Sequence, residues 1–495
     1  MSDTVESILR QLAAQGPRVT GLSTDSRAIA PGETFLAYPG VRSDGRRFIG
    51  AAIARGAAAV VWEREGFDWS AEWRVPNVPV EGLRALAGLL AHEVYGRPSE
   101  KLWIIGVTGT NGKTSCTQWI ARACGECGAR TAVVGTLGTG FPGALEPGVN
   151  TTPDPVLLHR SLARLLASGA QGAAIEVTSI GLDQGRLNGI AFGAAVFTNL
   201  SRDHLDYHGD MESYARAKRR LFETPGLRHA VLNLDDVQGV QVARALAGGR
   251  ITRTGHSCFQ GVAERAGLDR YVEARAITLA ADGVAFDLHS SWGDARVRSR
   301  LLGRFNVSNL LGVAGAMLVS GVPFDCTVSA LARIEPVAGR MQRLGGGAAP
   351  LVVVDYAHSP DALEKTLGTL KDVARAASGR LIVVFGCGGE RDRGKRALMG
   401  TVAARNADHV VVTSDNPRGE DPGAIIADIV AGIPGAHEVI EDRRAAIERA
   451  VGMANAGDIV LLAGKGHEPY QEVAGRRLPF SDAAEAERAL ARRPT

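Results

Sequence analysis

No stretch of the 495-residue chain approaches 18 consecutive apolar residues, and Met1 to Gly16 carries neither a basic leader nor a continuous apolar core. A membrane span and a secretory signal are therefore not expected. An excess of one charge is also missing, since 56 Lys and Arg against 53 Asp and Glu leave a net charge of +3. No basic block with interleaved aromatics occurs, so nucleic acid is not an expected partner, while local basic sites for an acidic small molecule stay open. Cysteine is sparse, with Cys116, Cys124, Cys127, Cys258, Cys326 and Cys387 scattered along the chain. That usage suits a reducing compartment, the cytoplasm. Cys124 and Cys127 form a C-x-x-C with no second pair and no nearby histidine, and read as helix-packing residues.

What is present is an ordinary globular composition, 45% hydrophobic and 22% charged, on a chain too long for one core. Two to four domains are expected. Residues 1–98 alternate short strands with one clear helix, and the run Tyr95-Gly-Arg-Pro-Ser99 then breaks the pattern. From 99 to 338, apolar runs at Thr131–Val134, Ala173–Val177, Ala194–Thr198 and Ala230–Leu232 alternate with helical stretches. Such runs imply a parallel sheet covered on both faces. Residues 268–303 alternate more strictly and read as a small antiparallel addition. From 339 to 495, runs at Leu351–Val354, Leu381–Phe385, Val410–Val412 and Ile459–Leu462 predict a doubly wound α/β domain.

Chemistry concentrates at the ends of these runs. Gly106-Val-Thr-Gly109-Thr110-Asn111-Gly112-Lys113-Thr114-Ser115 follows the apolar run Leu102–Ile105 and opens a helix, in the manner of a phosphate loop. Its glycines let successive N–H groups converge on phosphate oxygens, Lys113 supplies a point charge, and the Thr114 hydroxyl suits Mg²⁺. Glu176 closes a buried run, where a carboxylate calls for a metal or a cap. Asp203-His204-Leu-Asp206-Tyr-His208 crowds charge into a strand-to-helix connection, for metal or phosphate chemistry. Lys218 stands beside Leu221 and Phe222, and a solvated basic face is the plain alternative. In the last domain Gly386–Lys395, Asp415-Asn416-Pro417-Arg418 and Gly464-Lys-Gly-His-Glu468 each follow a strand. Either they are separate surface turns, or their arginines and Glu468 form a pocket for an amino-acid head group.

Together with Asn150-Thr151-Thr152-Pro-Asp154, Asn306-Val-Ser-Asn309, Gly339-Arg340-Met341 and Asp355-Tyr-Ala-His358, these motifs resemble the Mur ligases of peptidoglycan synthesis across essentially the whole chain. The resemblance implies three domains: a UDP-sugar-binding α/β domain (1–98), a P-loop ATPase-like parallel-sheet domain (99–338) and a Rossmann-like domain that binds the amino acid (339–495). It implies a cytoplasmic ATP-dependent amide ligase of cell-wall biogenesis, acting as a monomer on small molecules through an acyl phosphate. Lys113 is expected on the γ-phosphate, and Thr114 and Glu176 on Mg²⁺. His204 and Lys218 are expected at a second Mg²⁺, Lys218 as a CO₂-derived carbamate. Asn306, Arg340 and Asp355 are the counterparts of residues contacting adenine, phosphate and ribose. Thr24, Ser26, Val41, Arg42, Ser43, Asn150, Thr151, Thr152, Thr178, Gln184 and Arg186 are expected on a UDP-sugar dipeptide. One departure is visible: the family commonly reads Ser-Ser-His after the Glu-Val pair, whereas this chain has Thr178-Ser179-Ile180, keeping a hydroxyl and losing the histidine. Asp415-Asn416-Pro417-Arg418, with Arg391, Gly464 and Glu468, resembles the motif for diaminopimelate, whose second carboxylate lysine lacks. Ligases for other acceptors within the family, and a catalytically silent nucleotide-binding protein, are the competing readings.

Overall fold

The computed structural model describes residues 4–16, 18–41, 43–280 and 282–493. The chain forms two compact units, one of Met1–Thr108, Ile120–Val196 and Arg216–Ala230, the other of Gly109–Trp119, Phe197–Ala215 and Val231–Thr495.

In the first unit the strands Leu22–Ser23, Thr34–Ala37, Ala59–Glu63 and Asn77–Val80 lie side by side in chain order, all parallel. Leu36, Ala59 and Val61 face the helices Val5–Ala14 and Leu83–Val94, while Phe35, Ala37, Val60 and Trp62 face Ile49–Ala54. Covering both faces is why these strands are apolar throughout rather than alternating. Helix Leu83–Val94 stops where Gly96 and Arg97 take positive φ, and Pro98 starts the short helix Pro98–Lys101. In the same unit Trp103–Thr108, Gly172–Glu176 and Thr131–Gly135 pair in parallel in that order. Gly138–Phe141 and Ala144–Glu146 extend this sheet antiparallel. That hairpin is glycine-rich, so no alternation of side chains announced it.

In the second unit Thr252–Ser257 pairs in parallel with Arg270–Ala280, which continues antiparallel through Gly283–Ser290 to Gly293–Ser299. This is the antiparallel addition expected over 268–303. Helix Arg304–Val319 ends at Ser320, with Gly321 at φ +83°.

The last sheet has the order Gln342–Gly345, Leu351–Asp355, Ile459–Ala463, Leu381–Phe385, His409–Val412, Glu438–Val439, parallel but for its first strand. Helices Pro360–Ala376, Gly394–Asn406 and Pro422–Val430 cover one face; Arg443–Met453 and Asp482–Ala491 cover the other. The sheet is doubly wound, as expected. Strand Ile459–Ala463 returns to the middle, between strands formed about 100 residues earlier. In open sheets of this kind ligands bind outside the carboxyl ends of the strands where winding reverses. The loops after Asp355, Phe385, Val412 and Ala463 all leave from that edge.

Candidate active site

The phosphate loop is braced from behind by Thr198–Ser201. Thr110 N–H donates to the Asn199 carbonyl at 2.8 Å and Asn111 N–H to Asn199 Oδ1 at 3.0 Å. Thr198 Oγ1 and Asn199 Nδ2 both donate to the Asn111 carbonyl, at 2.6 and 3.0 Å. No room is left for side chains: a Cβ on Gly109 (φ +148°) would stand 1.9 Å from Thr198 Oγ1, and one on Gly112 (φ +88°) 2.6 Å from Asn309 Oδ1. Glycine at both positions is therefore a matter of φ and of space together. Lys113 Nζ donates to the carbonyls of Gly109 and Thr110, and so stays at the mouth of its own loop.

Arg340 and Asp361 meet this loop within the second unit. Arg340 donates to Thr114 Oγ1 at 3.1 Å and lies 4.3 Å from the Tyr356 ring centroid. Asn111 Nδ2 donates to Asp361 Oδ2 at 3.2 Å. Asn306 Nδ2 donates to the Leu302 carbonyl, and Asn306 Oδ1 accepts from Asn309 Nδ2. Asp355 accepts the N–H groups of Met341 and Ala357. Burial pushes its carboxyl above the usual range, with Arg340 opposing. Asp361 lay outside every motif singled out in the sequence, because it shares no local spacing with the loop.

His204 sits at φ +53° at the start of the turn Leu205–His208, its side chain half exposed. Asp203 is beside it, with carboxylate and imidazole 3.6 Å apart. Burial opposes ionisation of Asp203, yet His204, His358 and Lys113 together hold its carboxyl below the usual value. Tyr214 joins this cluster to the phosphate loop: its hydroxyl is 3.2 Å from Thr110 Oγ1, and its ring is 5.3 Å from that of His208.

In the first unit Glu176 is fully buried. Its carboxylate accepts Thr136 N–H at 2.8 Å and Thr136 Oγ1 at 3.1 Å, and its carbonyl accepts Thr152 Oγ1 at 2.7 Å. Thr151 Oγ1 lies 3.0 Å from Thr136 Oγ1, and Thr152 Oγ1 lies 2.9 Å from Thr178 Oγ1. Thr178 also caps the helix Ser179–Asp183. Gln184 Oε1 accepts two guanidinium donors of Arg186, whose third nitrogen donates to the Thr152 carbonyl. Thr24 reaches Asp154 at 3.3 Å. Ser26 is buried, while Val41, Ser43 and Asn150 are exposed; Arg42 lies outside the described residues. The reading of Lys218 as part of a solvated face is overturned: it is 2% exposed, near the end of helix Met211–Arg219. Leu221 and Phe222, three and four positions on, are buried as well. Cys116, Cys124, Cys258 and Cys387 are free and buried, and burial lifts the Cys124 thiol to about 11; Cys127 is disulfide-bonded, so the reading of the C-x-x-C as two packing residues holds for Cys124 alone.

Among the described residues no group of three or more His, Cys, Asp or Glu side chains is arranged to hold a metal. Magnesium in nucleotide enzymes rests on one or two carboxylates completed by phosphates and water. A buried carboxylate at Glu176 and a hydroxyl at Thr114 are hard oxygen donors of that kind.

The three loops of the last sheet do converge, and are not separate surface turns. Asn416 Nδ2 donates to Glu468 Oε2 at 2.7 Å, and Gly389 N–H to the Asn416 carbonyl at 2.9 Å. Arg418, at φ +54°, donates to the Gly389 carbonyl at 2.7 Å and lies 3.9 Å from Glu472. Its guanidinium and the Cγ of Arg391 both lie within 4 Å of a Cβ built on Gly388. Asp415 is buried; burial raises its carboxyl, and Lys465 and Arg443 oppose the rise. Pro417 is buried against the glycine loop, and Gly464 (φ +112°) passes over Asp415. Arg393 turns away to Asp428. The hairpin Tyr470–Val473 and Arg476–Pro479, unseen in the sequence, bridges to Arg418 through Val473.

Burial also shapes the response to acid. His159, His256, His358 and His467 are each lowered to about 4, by burial first. A histidine freed by unfolding takes a proton near pH 6.5, while the folded one resists until about 4. The unfolded state therefore binds more protons in that window, and stability falls as pH falls through it. Thermal midpoints should decline from about pH 6.5 downward, and His256→Gln should flatten the decline by about one proton, ~1.4 kcal/mol per pH unit. An unchanged pH slope in that variant would refute this.

Three family models match in succession: Mur ligase family, catalytic domain, over residues 18–95; Mur ligase middle domain, over 107–317; and Mur ligase, glutamate ligase domain, over 339–466. The chain belongs to the Mur ligase family. Within it, the UDP-N-acetylmuramoyl-L-alanyl-D-glutamate–2,6-diaminopimelate ligase of Pseudomonas aeruginosa is 50% identical over 491 residues, 98% of each chain. The ligase of the same name from Janthinobacterium sp. is 49% identical over 98% of this chain and 97% of its own. A solved structure of such a ligase is 39% identical, with a TM-score of 0.69 over 96% of this chain and 95% of that one.

Proposed function

We infer that the protein is an ATP-dependent ligase that joins meso-2,6-diaminopimelate to the D-glutamyl γ-carboxylate of UDP-N-acetylmuramoyl-L-alanyl-D-glutamate, a step of peptidoglycan precursor synthesis. The observation that carries the choice of amino acid is the loop Asp415–Arg418 held against Glu468. Arg418 and Arg391 beside Gly388 offer guanidinium forks for the distal carboxylate, and Glu468 offers a carboxylate for the distal ammonium.

A carboxylate is a poor electrophile, so the reaction begins with its attack on the γ-phosphorus of ATP, releasing ADP and leaving an acyl phosphate. The amine, having lost a proton, then adds to the acyl carbon, and phosphate departs as the tetrahedral intermediate collapses to the amide. The chain's share is positioning and charge stabilisation. Gly109–Ser115 would cradle the phosphates, with Lys113 exchanging its two loop carbonyls for γ-phosphate oxygens. Asn306, Arg340 and Asp355 would hold the rest of the nucleotide; the bond from Arg340 to Thr114 supports a phosphate-side role for Arg340. Thr114 and Glu176 would hold one Mg²⁺, and His204 and Lys218 a second, which when bound would neutralise phosphate charge. The burial of Lys218 supports its carbamate form, because a buried ammonium repels a cation and CO₂ addition converts it to an anion. Thr24, Ser26, Val41, Arg42, Ser43, Asn150–Thr152, Thr178, Gln184 and Arg186 would take the UDP-sugar dipeptide. The hydrogen-bond net through Thr152 supports a preset orientation of Thr178 and Arg186. The three family matches fall inside 1–98, 99–338 and 339–495, which supports domains with those bounds.

Phosphate release should require both the UDP-dipeptide and diaminopimelate, and Arg418→Ala should raise the KM for diaminopimelate at least about 30-fold, with that for ATP within about twofold. An amino-acid panel tests both. Equal turnover of lysine, or equal effects on both KM values, would refute the assignment.

A further inference from the structure

Lys465 stands in Gly464-Lys-Gly-His-Glu468 and is fully buried. An ammonium leaves water only where oxygen acceptors replace its hydration. Here Nζ donates to Asn416 Oδ1 at 2.9 Å and to Glu468 Oε2 at 3.2 Å, with Asp415 Oδ1 at 3.7 Å. Its acceptors are thus the polar side chains that ring the candidate amino-acid pocket.

The bonds have a direction. Asn416 Oδ1 takes Lys465 and the Glu472 N–H, at 2.9 Å each. With its oxygen so occupied, the amide has one orientation, and Nδ2 points to Glu468 Oε2 at 2.7 Å. Both donors converge on the same oxygen of Glu468. The other, Oε1, is left with no hydrogen bond from the described residues.

We propose that Lys465 is a positioning residue for the amino-acid substrate: by gripping Asn416 Oδ1 and Glu468 Oε2 at once, it sets the amide of Asn416 and presents Glu468 Oε1 to the substrate's distal ammonium. The proposal rests on the diaminopimelate reading above. It adds to that reading a residue that touches no substrate and acts through two that do. The hairpin enters the same device, because the Asn416 oxygen that Lys465 holds also anchors the backbone of Glu472, next to the Val473 bridge to Arg418.

The test is steady-state phosphate release by the full chain, with each substrate varied in turn. Lys465→Met, which keeps length and removes charge, should raise the KM for diaminopimelate at least about tenfold and leave those for ATP and the UDP-dipeptide within about twofold. Because Lys465 acts through Glu468, Lys465→Met combined with Glu468→Gln should be no worse than the poorer single variant by more than about twofold. A uniform rise in all three KM values, or effects that multiply in the double variant, would overturn the proposal. If Lys465→Met lacks a cooperative melt, Lys465→Arg decides. Its planar fork keeps the charge but not the paired bonds, so a rise of at least about threefold in the diaminopimelate KM alone supports positioning, and no rise refutes it. Wild-type enzyme that releases no phosphate with diaminopimelate would instead refute the functional reading itself.

Discussion

Lys113→Met should lower the rate of ADP release by about 10²–10³-fold or more, while the UDP-dipeptide still raises the thermal midpoint as it does in the wild type. The side chain is half-buried and donates to the carbonyls of Gly109 and Thr110. Methionine fills the same space without charge, so the loop keeps its braces at Asn199 and Thr198. What is lost is the cation that meets negative charge spreading over the γ-phosphoryl oxygens as the bond to ADP breaks. A ground-state contact of equal strength would raise the KM for ATP and spare kcat; a contact that strengthens in the transition state lowers kcat. Pre-steady-state ADP release, with the midpoint shift as the folding control, separates the two. Activity within about tenfold of wild type would mean that this loop is not where the reacting triphosphate sits.

The second large effect is on stability. Arg443 and Asp482 form an ion pair with both side chains fully buried, through two bonds of 2.7 Å. Arg443 also donates to the carbonyls of Ser414 and Ala463, the residues just before Asp415 and Gly464. Asp482→Ala leaves a guanidinium in the core with its charge uncompensated, at a cost of about 3–5 kcal/mol. The thermal midpoint should fall by about 10 °C or more. Replacing both partners with leucine should recover most of the loss, since an apolar pair of similar volume carries no stranded charge. The double variant should nonetheless keep a raised KM for diaminopimelate, because the carbonyls that set the start of both pocket loops lose their donor. Calorimetry and kinetics on the same three variants check this. A double variant no more stable than Asp482→Ala would show that packing around helix Asp482–Ala491, and not the buried charge, dominates.

Much of the fold was legible because its signals are local. Continuous apolar runs marked the parallel strands, since a strand covered on both faces has no polar side to show. Elements built from backbone alone gave no such signal. The hairpin at Gly138–Phe141 and Ala144–Glu146 is glycine-rich, and the hairpin at Tyr470–Val473 and Arg476–Pro479 has side chains that are intermediate or exposed in every position, with no buried stripe. The solvated-face alternative for Lys218 fails for the same reason in reverse. Lysine in a basic helical stretch looks solvated, and only the folded chain shows it buried together with Leu221 and Phe222.

By itself the sequence determined which residue types stand at strand ends, because a motif such as Gly-Thr-Asn-Gly-Lys-Thr works through neighbouring backbone N–H groups and needs nothing distant. It also carried the family resemblance, whose motifs run the whole length of the chain. Only the tertiary structure decided which of those residues meet. Asn416 and Glu468 are 52 positions apart and Arg340 and Thr114 are 226 apart, yet each pair shares a hydrogen bond. Strand order does this: a return to the middle of the last sheet brings the loop after Ala463 between earlier ones. The buried ammonium of Lys465 then orients what has been gathered. No spacing along the chain encodes that, because it depends on which strands become neighbours and on how much water is excluded when they do.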